Sequence, residues 1–582
     1  MPARLRGSDA FFRIFLPNLS VQVAKTMPSS RPEKVIRFSL GVLLGMSVFV
    51  GEPAVRAEIR TSDRKGLSTK VNGRKGGRCD KGICKISGGK NSGKNKFLKF
   101  KQFDTRGKIK SVEFDTGKRK NLIIGVTSPL GSFIDKSIRL SSKANVHWLS
   151  PGGIQLGAGA GFINVPRLNL STSRSLQFQG GAFDVFNSRA SDLKALIGQP
   201  LPGSNGFSHD LSDLNSVTAD GTVPGIQMDG IDVSIDRSLF ADALGGAVEV
   251  RDSTIAVGGS EQPGARLTLT GDAVTIGEGS SLQAQHRDGG GLIEVGGSWQ
   301  NSDPTVRQAT TADVESGAVL DASAGEEGDG GEIVVWSDIA NPKSRTKVTG
   351  QLLTRGGSIA GDGGRIETSG HALDLTGAVP DVGSLYGKGG EWLIDHWDIR
   401  IGSVDANTSN SDGVFSASGT SAELSVSSIQ TALGLGDVTI QTTGSGSDLG
   451  NITVDQFINA PQSSGTLTLN ADNNIIINSS GGLQNDYGSG DLKLNAQNDI
   501  YVDGAIDWDP GSGGLVELSS VEGEISGYSD GYLYVNNGTL KLDVGGTAAT
   551  PDPFQGSIVL SSGVGLEKDG SGEFLVSPSA ES

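Results

Sequence analysis

A repeat of two short strands near the carboxyl end constrains the fold of this chain most strongly. The segment LTLNADNNIIIN at 467–478 superposes on LKLNAQNDIYVD at 492–503 with a shift of 25 residues. Apolar and polar residues alternate in each copy, which places every second side chain on the same face of a strand. A single unit of this kind cannot bury its apolar face alone. The repeat therefore predicts a solenoid of stacked coils.

The repeat also assigns the inward-facing side chains and the bends. The positions expected to stack are Leu467 on Leu492, Leu469 on Leu494, Ile475 on Ile500 and Ile477 on Val502. Asparagine and aspartate at 473–474 and 498–499 suit left-handed turn positions and side-chain ladders between coils. We expect an all-β chain, a right-handed parallel β-helix (β-solenoid) of pectin-lyase-like architecture. At about 25 residues per coil, residues 58–582 would form about 21 coils.

Glycine pairs lead directly into β-prone runs at four further places. The runs are GGGLIEVGGSW from residue 289, GDGGEIVVWSD from 328, GDGGRIETSGH from 361 and GKGGEWLIDHW from 387. Glycine accounts for 87 of 582 residues, about twice its usual frequency. Aromatic residues make up 5% of the chain. This composition favours frequent corners around a long, narrow core.

The amino-terminal region has the pattern of a secretory leader. Lys34 and Arg37 precede an apolar run at 38–51, and a small-residue cleavage motif ends at Ala57. The apolar run is shorter than the ~20 residues that span a bilayer. We expect cleavage between Ala57 and Glu58, and a mature protein that is secreted. Residues 1–26 are either a functional extension or untranslated, with the true start at Met27.

Charge is distributed very unevenly along the chain. Residues 58–120 contain 20 Lys and Arg against 6 Asp and Glu, a net charge of +14. Residues 121–582 contain 22 Lys and Arg against 56 Asp and Glu, a net charge of −34. The acidic body argues against nucleic acid as a partner. The basic segment either steers the chain onto an acidic surface or is a solvated face without a target.

The two cysteines, Cys79 and Cys84, are separated by four residues. Behind a secretory leader this spacing favours a small disulfide that staples a hairpin. Two free thiols are the alternative. A metal site is disfavoured because no His, Cys or acidic cluster nearby completes four ligands.

The stretch 84–163 is a series of short β-prone runs separated by Gly, Ser, Asn and Pro, with no helix-period segment between them. It contains ISGG at 86–89, FLKFKQFD at 97–104, SFIDKSIRL at 132–140 and ANVHWLSPGGIQLGAGAGFIN at 144–164. In these segments it resembles the amino-terminal secretion domain of filamentous-haemagglutinin-type exoproteins, which leave bacteria by two-partner secretion. Segments at 298–300, 306–311, 320–324 and 391–395 are similar to regions downstream of that domain, so the resemblance covers about residues 68–402.

The resemblance implies a secretion motif at the corner where that family has Asn-Pro-Asn-Gly-Ile. Here the corresponding residues are Ser150, Pro151, Gly152, Gly153 and Ile154. Pro151 and a glycine with positive φ would specify a tight turn even without the asparagines. We expect this turn on the surface of an early coil, where an outer-membrane two-partner transporter would recognise it.

The same resemblance implies a domain order and a role. We expect an extension and signal peptide at 1–57, a two-partner secretion domain at 58–290, Gly-rich haemagglutinin-like repeats at 291–402 and β-helical repeats at 403–582. The expected protein is not an enzyme, has no cofactor, and is secreted or attached to the cell surface. Its expected role is adhesion or surface structure, with host or neighbour-cell glycans or receptors as ligands.

Two alternatives remain open from the sequence: a β-helical carbohydrate-active enzyme, and a truncated exoprotein without function. An enzyme of that class would need clustered carboxylates on one solenoid face. The best candidates are Asp313, Glu315, Asp321, Glu326, Glu327 and Asp329, with Arg307 upstream. The five histidines are scattered through repeats and turns: His147, His209, His286, His371 and His396. The sequence therefore favours a solvated acidic region over a catalytic site.

Overall fold

The computed structural model describes most of the chain from Ala57 onward. The described residues are 57–61, 67–207, 223–258, 265–375, 377–396, 398–402, 421–442, 450–462, 465–486, 490–546 and 554–575. All of them lie in one compact unit. The predicted leader, with Lys34, Arg37 and the apolar run at 38–51, lies outside the described residues.

The chain winds through three parallel sheets, which we number 1, 2 and 3 in the order in which each coil enters them. Two long strands, Ser238–Arg251 and Arg266–Ile276, bend from sheet 1 into sheet 2. The other strands of sheet 1 are Asn95–Phe100, Asn121–Val126, Asn145–Leu149, Arg167–Ser171, Leu292–Val295, Glu332–Trp336, Arg365–Ser369, Glu391–His396, Asp437–Thr442, Leu467–Ala471, Leu492–Ala496, Leu515–Ser520, Thr539–Val544 and Gly565–Asp569.

Sheets 2 and 3 complete each coil. The other strands of sheet 2 are Gln102–Asp104, Ser132–Ile134, Ile154–Leu156, Ile226–Asp229, Thr311–Val314, Arg345–Val348, Ala372–Asp374, Asp398–Gly402, Ser421–Ser425, Ile452–Val454, Ile475–Ile477, Ile500–Val502 and Ile525–Ser526. Sheet 3 contains Lys81–Gly88, Lys108–Phe114, Ser137–Leu140, Gly161–Ile163, Asp232–Ile235, Thr254–Val257, Ser281–Gln283, Val319–Asp321, Gln351–Leu353, Val379–Asp381, Phe457–Asn459, Gly482–Asn485, Ala505–Trp508, Tyr532–Val535 and Ser557–Leu560.

A few elements depart from this parallel scheme. The remaining strands are Ile59–Arg60, Thr69–Val71, Arg74–Lys75, Arg78–Cys79, Lys90–Ser92, Ser175–Phe178 and Gly181–Asp184, all paired antiparallel. Among the described residues, three short 3-10 helices lie at Asp192–Ala195, Gly203–Gly206 and Trp299–Asn301, and one α-helix at Val426–Leu433. Within the described part of the chain, no helix is both long and apolar enough to cross a membrane.

The predicted fold class, an all-β parallel β-solenoid, is confirmed, and so is the predicted register. Leu467 pairs with Leu492 and Ile475 with Ile500, and these side chains are fully buried. The predicted asparagine ladder is present, since the Asn498 side-chain amide donates to the Asn473 carbonyl oxygen at 2.5 Å. Sheet 1 holds sixteen strands among the described residues, fewer than the 21 coils expected. The difference arises because some coils carry long excursions between sheets.

The repeated glycine pairs form one corner of the solenoid, immediately before sheet 1. A Cβ on Gly331 would lie 2.0 Å from the carbonyl oxygen of Gly291, and one on Gly390 would lie 1.8 Å from that of Gly364. No side chain fits at such distances, so adjacent coils stack here backbone on backbone. The glycine pairs are therefore explained by packing.

One coil in the middle of the solenoid is irregular. The strand Ser421–Ser425 lies between Ala372–Asp374 and Asp398–Gly402, out of chain order. The helix Val426–Leu433 follows it, and Ser425 caps the helix by accepting a hydrogen bond from the Ser428 amide at 3.1 Å. The helix packs where sheet 3 would otherwise have a strand, between Val379–Asp381 and Phe457–Asn459. The core continues through this coil because Ile429 and Leu433 of the helix are fully buried.

Candidate partner-binding surfaces

Antiparallel strands close the amino-terminal end of the solenoid. Ile59–Arg60 pairs with both Gln102–Asp104 and Arg78–Cys79, and Thr69–Val71 pairs with Lys81–Gly88. Behind them, the Phe103 ring packs edge-on against Trp148 at 4.6 Å between ring centres. Unpaired edge strands invite association with other chains. The cap covers those edges at this end.

Cys79 and Cys84 lie within the cap and are joined by a disulfide in the structure, with their Cα atoms 5.8 Å apart. Both side chains are buried. The bond connects Arg78–Cys79, at the edge of sheet 2, to Lys81–Gly88, in sheet 3. It thus ties two faces of the cap together at the corner.

The surface of the cap is strongly basic. Its carboxylates are largely engaged: Asp104 accepts two hydrogen bonds from the Arg106 guanidinium, and Asp115 pairs with the buried Lys96. Eleven exposed cations of the cap have no ion-pair partner among the described residues, and we call them the basic cap. They are Arg74, Lys75, Arg78, Lys81, Lys85, Lys94, Lys101, Lys108, Lys110, Lys118 and Lys120.

The corner at Ser150–Ile154 forms the expected tight turn, in which the Gly153 amide donates to the Ser150 carbonyl at 2.9 Å and Gly153 has φ of +102°. The expectation that it lies on the surface is wrong. Ser150, Pro151 and Gly153 are buried, and Gly152 is half-buried. The reason is that corners of successive coils stack: Ser132 of the preceding coil donates its amide to the Gly153 carbonyl at 2.9 Å. The following coil covers the other side, where the Ile154 amide donates to the Gly225 carbonyl.

A long excursion, residues 172–207, leaves the corner between sheets 1 and 2 and folds back over the outer face of sheet 1. It buries three apolar side chains that point away from the solenoid core, Phe97, Ile123 and Leu149. Its own hairpin contributes Phe183, whose ring centre lies 5.4 Å from that of Phe97. The strands Asn95–Phe100 and Asn121–Val126 are consequently buried on both faces. The sequence-based prediction missed the burial of this outer face. The signal for it is that polar and apolar residues alternate only weakly in those two strands, as in strands buried on both faces.

Between this excursion and sheet 1 lies a cleft of about 440 Å³. Its floor carries Asn145, His147, Arg167 and Asn169, and Gln199 stands in its wall. Burial lowers the pKa of His147 to about 4, so its imidazole is neutral at physiological pH. The Arg167 guanidinium is exposed and has no ion-pair partner among the described residues. The Asn145 and Asn169 amide nitrogens already donate within sheet 1, so the cleft offers their carbonyl oxygens, a neutral imidazole and a cation to a ligand.

Aromatic and charged side chains line the far end of the cleft. The rings of Phe207 and Phe240 are stacked with their centres 6.0 Å apart. Arg266 binds Glu294 and Asp303 at 2.8–2.9 Å, so its charge is already balanced. Arg167 is therefore the cation of the cleft that has no carboxylate partner among the described residues.

The acidic residues considered for catalysis do not converge. Asp313 lies in sheet 2, Asp321 lies in sheet 3, and Glu326, Glu327 and Asp329 lie in the corner before sheet 1. Three of the six form ion pairs with cations of neighbouring coils, Asp313 with Arg345, Glu315 with Arg251 and Glu326 with Arg287, while Arg307 binds the buried Asp242. No group of three or more metal-ligating side chains occurs in the described part of the chain. The arrangement that a carbohydrate-active enzyme would need is thus not assembled from these residues.

Two of the histidines face each other inside the solenoid. The rings of His371 and His396 lie 6.2 Å apart, and His396 is completely buried. Burial, and secondarily His371, lowers the pKa of His396 to about 3. His286 is also buried and accepts a hydrogen bond from the Asp288 amide, while His209 lies outside the described residues. Of the described histidines, His147 is the one that lines the cleft.

No family model and no curated protein matches this chain. Among solved structures, it is similar to the crystal structure of the HMW1 secretion domain from Haemophilus influenzae. The identity is 15%, the match covers 88% of this chain and 100% of that one, and the TM-score is 0.37. The parallel β-solenoid found here is the fold that the sequence resemblance to two-partner secretion exoproteins predicts.

Proposed function

We propose that this protein is an exoprotein that a two-partner transporter carries across the outer membrane. The observation that supports it best is a β-solenoid with a closed, structured amino-terminal cap in the same segment that resembles the family's secretion domain. A solenoid coil contacts only its neighbours, so folding can proceed from the capped end coil by coil. Each added coil buries apolar surface, which favours passage in one direction. The mature protein would be secreted or held at the cell surface.

Export is tested by expressing the chain with and without a two-partner outer-membrane transporter from the same genome, and measuring the protein in the culture supernatant. We expect secretion to depend on the transporter. Phe103→Asp, which places a charge in the cap's aromatic core, should sharply reduce the secreted fraction. The exposed neighbour Lys101→Gln is the matched control and should be exported normally. Equal secretion without the transporter would contradict the proposal.

Within this function, we propose that the cleft binds an acidic glycan, which would make the protein an adhesin. Saccharide sites combine amide hydrogen-bonding groups with apolar ring faces, and both are present here. Arg167 supplies a planar cation suited to a carboxylate. Because His147 is neutral above about pH 5, binding should not change between pH 5 and 8.

Calorimetric titration with oligogalacturonate, and with a neutral galacto-oligosaccharide for comparison, tests the cleft. We expect the acidic ligand to bind more tightly, and Arg167→Gln to weaken it about tenfold by removing a charge-assisted contact. Lys493→Gln, far along the same sheet, should have no effect. Equal binding of the two ligands, or an unchanged affinity in Arg167→Gln, would contradict a role for this cleft.

A further inference from the structure

The outer face of sheet 3 within the cap carries a compact group of cations around one exposed apolar side chain. Along the strand Lys81–Gly88, the side chains of Lys81, Ile83 and Lys85 all point outward and are exposed. Ile83 has 49% of its surface accessible, which is high for a large apolar residue in an ordered strand. The disulfide at the adjacent Cys84 holds this strand against the rest of the cap.

The neighbouring strands extend the same face. Lys108 lies directly opposite Lys81, and Lys110 is exposed on the same strand. On the other side, the exposed Arg74 and Lys75 form the edge of the sheet. One half-buried carboxylate, Glu113, lies on this face, opposite Lys85. The face is therefore cationic on the two neighbouring strands Lys108–Phe114 and Lys81–Gly88 and again at the edge strand, from which Thr69–Val71 separates them.

No part of the described chain balances this charge. Lys81, Lys85, Lys108 and Lys110 form no ion pair with any described residue, whereas most cations of sheets 1 and 2 between 242 and 400 are paired with carboxylates on neighbouring coils. Residues 121–582 carry a net charge of −34, yet none of the described carboxylates in that range forms an ion pair with these four lysines. A surface of this kind attracts an external anionic partner.

We propose that this face docks on an anionic lipid surface, with the lysines at the phosphates and Ile83 inserted at the boundary between headgroups and acyl chains. This role goes beyond export and does not depend on it. An apolar side chain ringed by lysines is the arrangement that peripheral proteins use at membrane interfaces. A nucleic-acid site would instead favour aromatic side chains for stacking on bases, and Ile83 offers none.

The test is cosedimentation of the purified protein with vesicles of phosphatidylcholine alone, or mixed with an equal amount of phosphatidylglycerol. We expect binding to the anionic vesicles that weakens at high salt, and no binding to the neutral ones. The double variant Lys81→Gln with Lys85→Gln should weaken binding about tenfold or more, since each cation near an anionic membrane contributes severalfold. The matched control, Lys343→Gln with Lys388→Gln on the body, should bind like the wild type.

Ile83→Ser distinguishes a lipid surface from other polyanions. We expect it to weaken vesicle binding severalfold while leaving retention on a cation-exchange resin unchanged, because the charges remain in place. The proposal is overturned if anionic vesicles do not bind at low salt, or if the cap and body double variants behave alike. It is also overturned if Ile83→Ser binds vesicles normally while double-stranded DNA binds equally well, which would identify a general polyanion site.

Discussion

The side-chain carboxyl group of Glu367 is shielded from water. It lies on the outer face of sheet 1 and is fully buried, beneath the excursion that contains the helix Trp299–Asn301. The Gln300 amide donates to one of its oxygens at 2.8 Å, and the Ser369 hydroxyl donates to the other at 3.0 Å. Burial, which outweighs these bonds, raises the pKa of Glu367 to about 8. The side chain is therefore protonated in the folded protein at neutral pH.

This burial predicts a loss of stability as pH rises. In the unfolded chain the carboxyl has its ordinary pKa of 4.5, so between about 4.5 and 8 only the unfolded state releases the proton. The stability that the buried, protonated Glu367 contributes to the folded state is fully present below pH 4.5. It decreases by about 1.4 kcal/mol for each pH unit across that interval and is lost above pH 8. Glu367→Gln, which keeps the neutral shape, should raise the melting temperature at pH 9 and leave it nearly unchanged at pH 4. The exposed Glu567→Gln is the control, and a similar shift in both variants would refute the explanation.

Gly152 shows how closely corners stack in the proposed secretion domain. A Cβ at this position would lie 2.4 Å from the Ser128 carbonyl oxygen and 2.5 Å from the Gly131 amide nitrogen. An asparagine here, as in the exoprotein family that this segment resembles, would therefore push two coils apart. We expect Gly152→Ala to destabilise the protein by about 1–3 kcal/mol and to reduce export.

Gly161→Ala is the matched control for this substitution. Its added Cβ would have its nearest neighbour, the Ser137 hydroxyl oxygen, at 3.8 Å, an ordinary contact. Thermal unfolding and the secreted fraction should therefore both stay close to wild type. If Gly152→Ala were equally well tolerated, the corner would be looser than its geometry indicates.

At the level of elements, the stacked strands of sheet 1 have distinct inner and outer faces. Leu492 lies between Leu467 and Val516 and is fully buried. Leu492→Asp would place an unpaired charge between apolar layers, which should cost several kcal/mol. Its neighbour Lys493 points outward opposite Glu517, so Lys493→Gln should be nearly neutral.

Chemical or thermal unfolding of these two variants checks the assigned faces. Glutamine is a better control at 493 than aspartate, because a second carboxylate would face Glu517 across the strands. Equal unfolding midpoints for Leu492→Asp and Lys493→Gln would mean that the register is wrong by one residue.

For the whole molecule, the position of the cap makes a specific prediction about processing. The Glu58 carbonyl oxygen accepts a hydrogen bond from the Asp104 amide at 3.1 Å, so the first residue after the predicted cut already belongs to the cap. We expect the secreted form to begin at Glu58, and initiation at Met27 to suffice for export. Mass spectrometry of the mature amino terminus decides this. A secreted protein that retains residues 38–51 would contradict it.

The alternation of apolar residues and the repeat shift of 25 residues determined the arrangement of strands in each coil. Both are local periodicities that specify which side chains face inward. Leu492 and Ile500 were therefore assigned correctly from the sequence. Only the tertiary structure decided how the excursions pack, because their contacts join residues far apart in coils of unequal length. Asn95 donates to the carbonyl of Leu196, 101 residues away, and Arg307 pairs with Asp242 across 65 residues. No local pattern encodes such contacts. The burial of the Ser150–Ile154 corner followed from the stacking of coils, whereas the cleft and the protonated Glu367 followed from the packing of excursions on sheet 1.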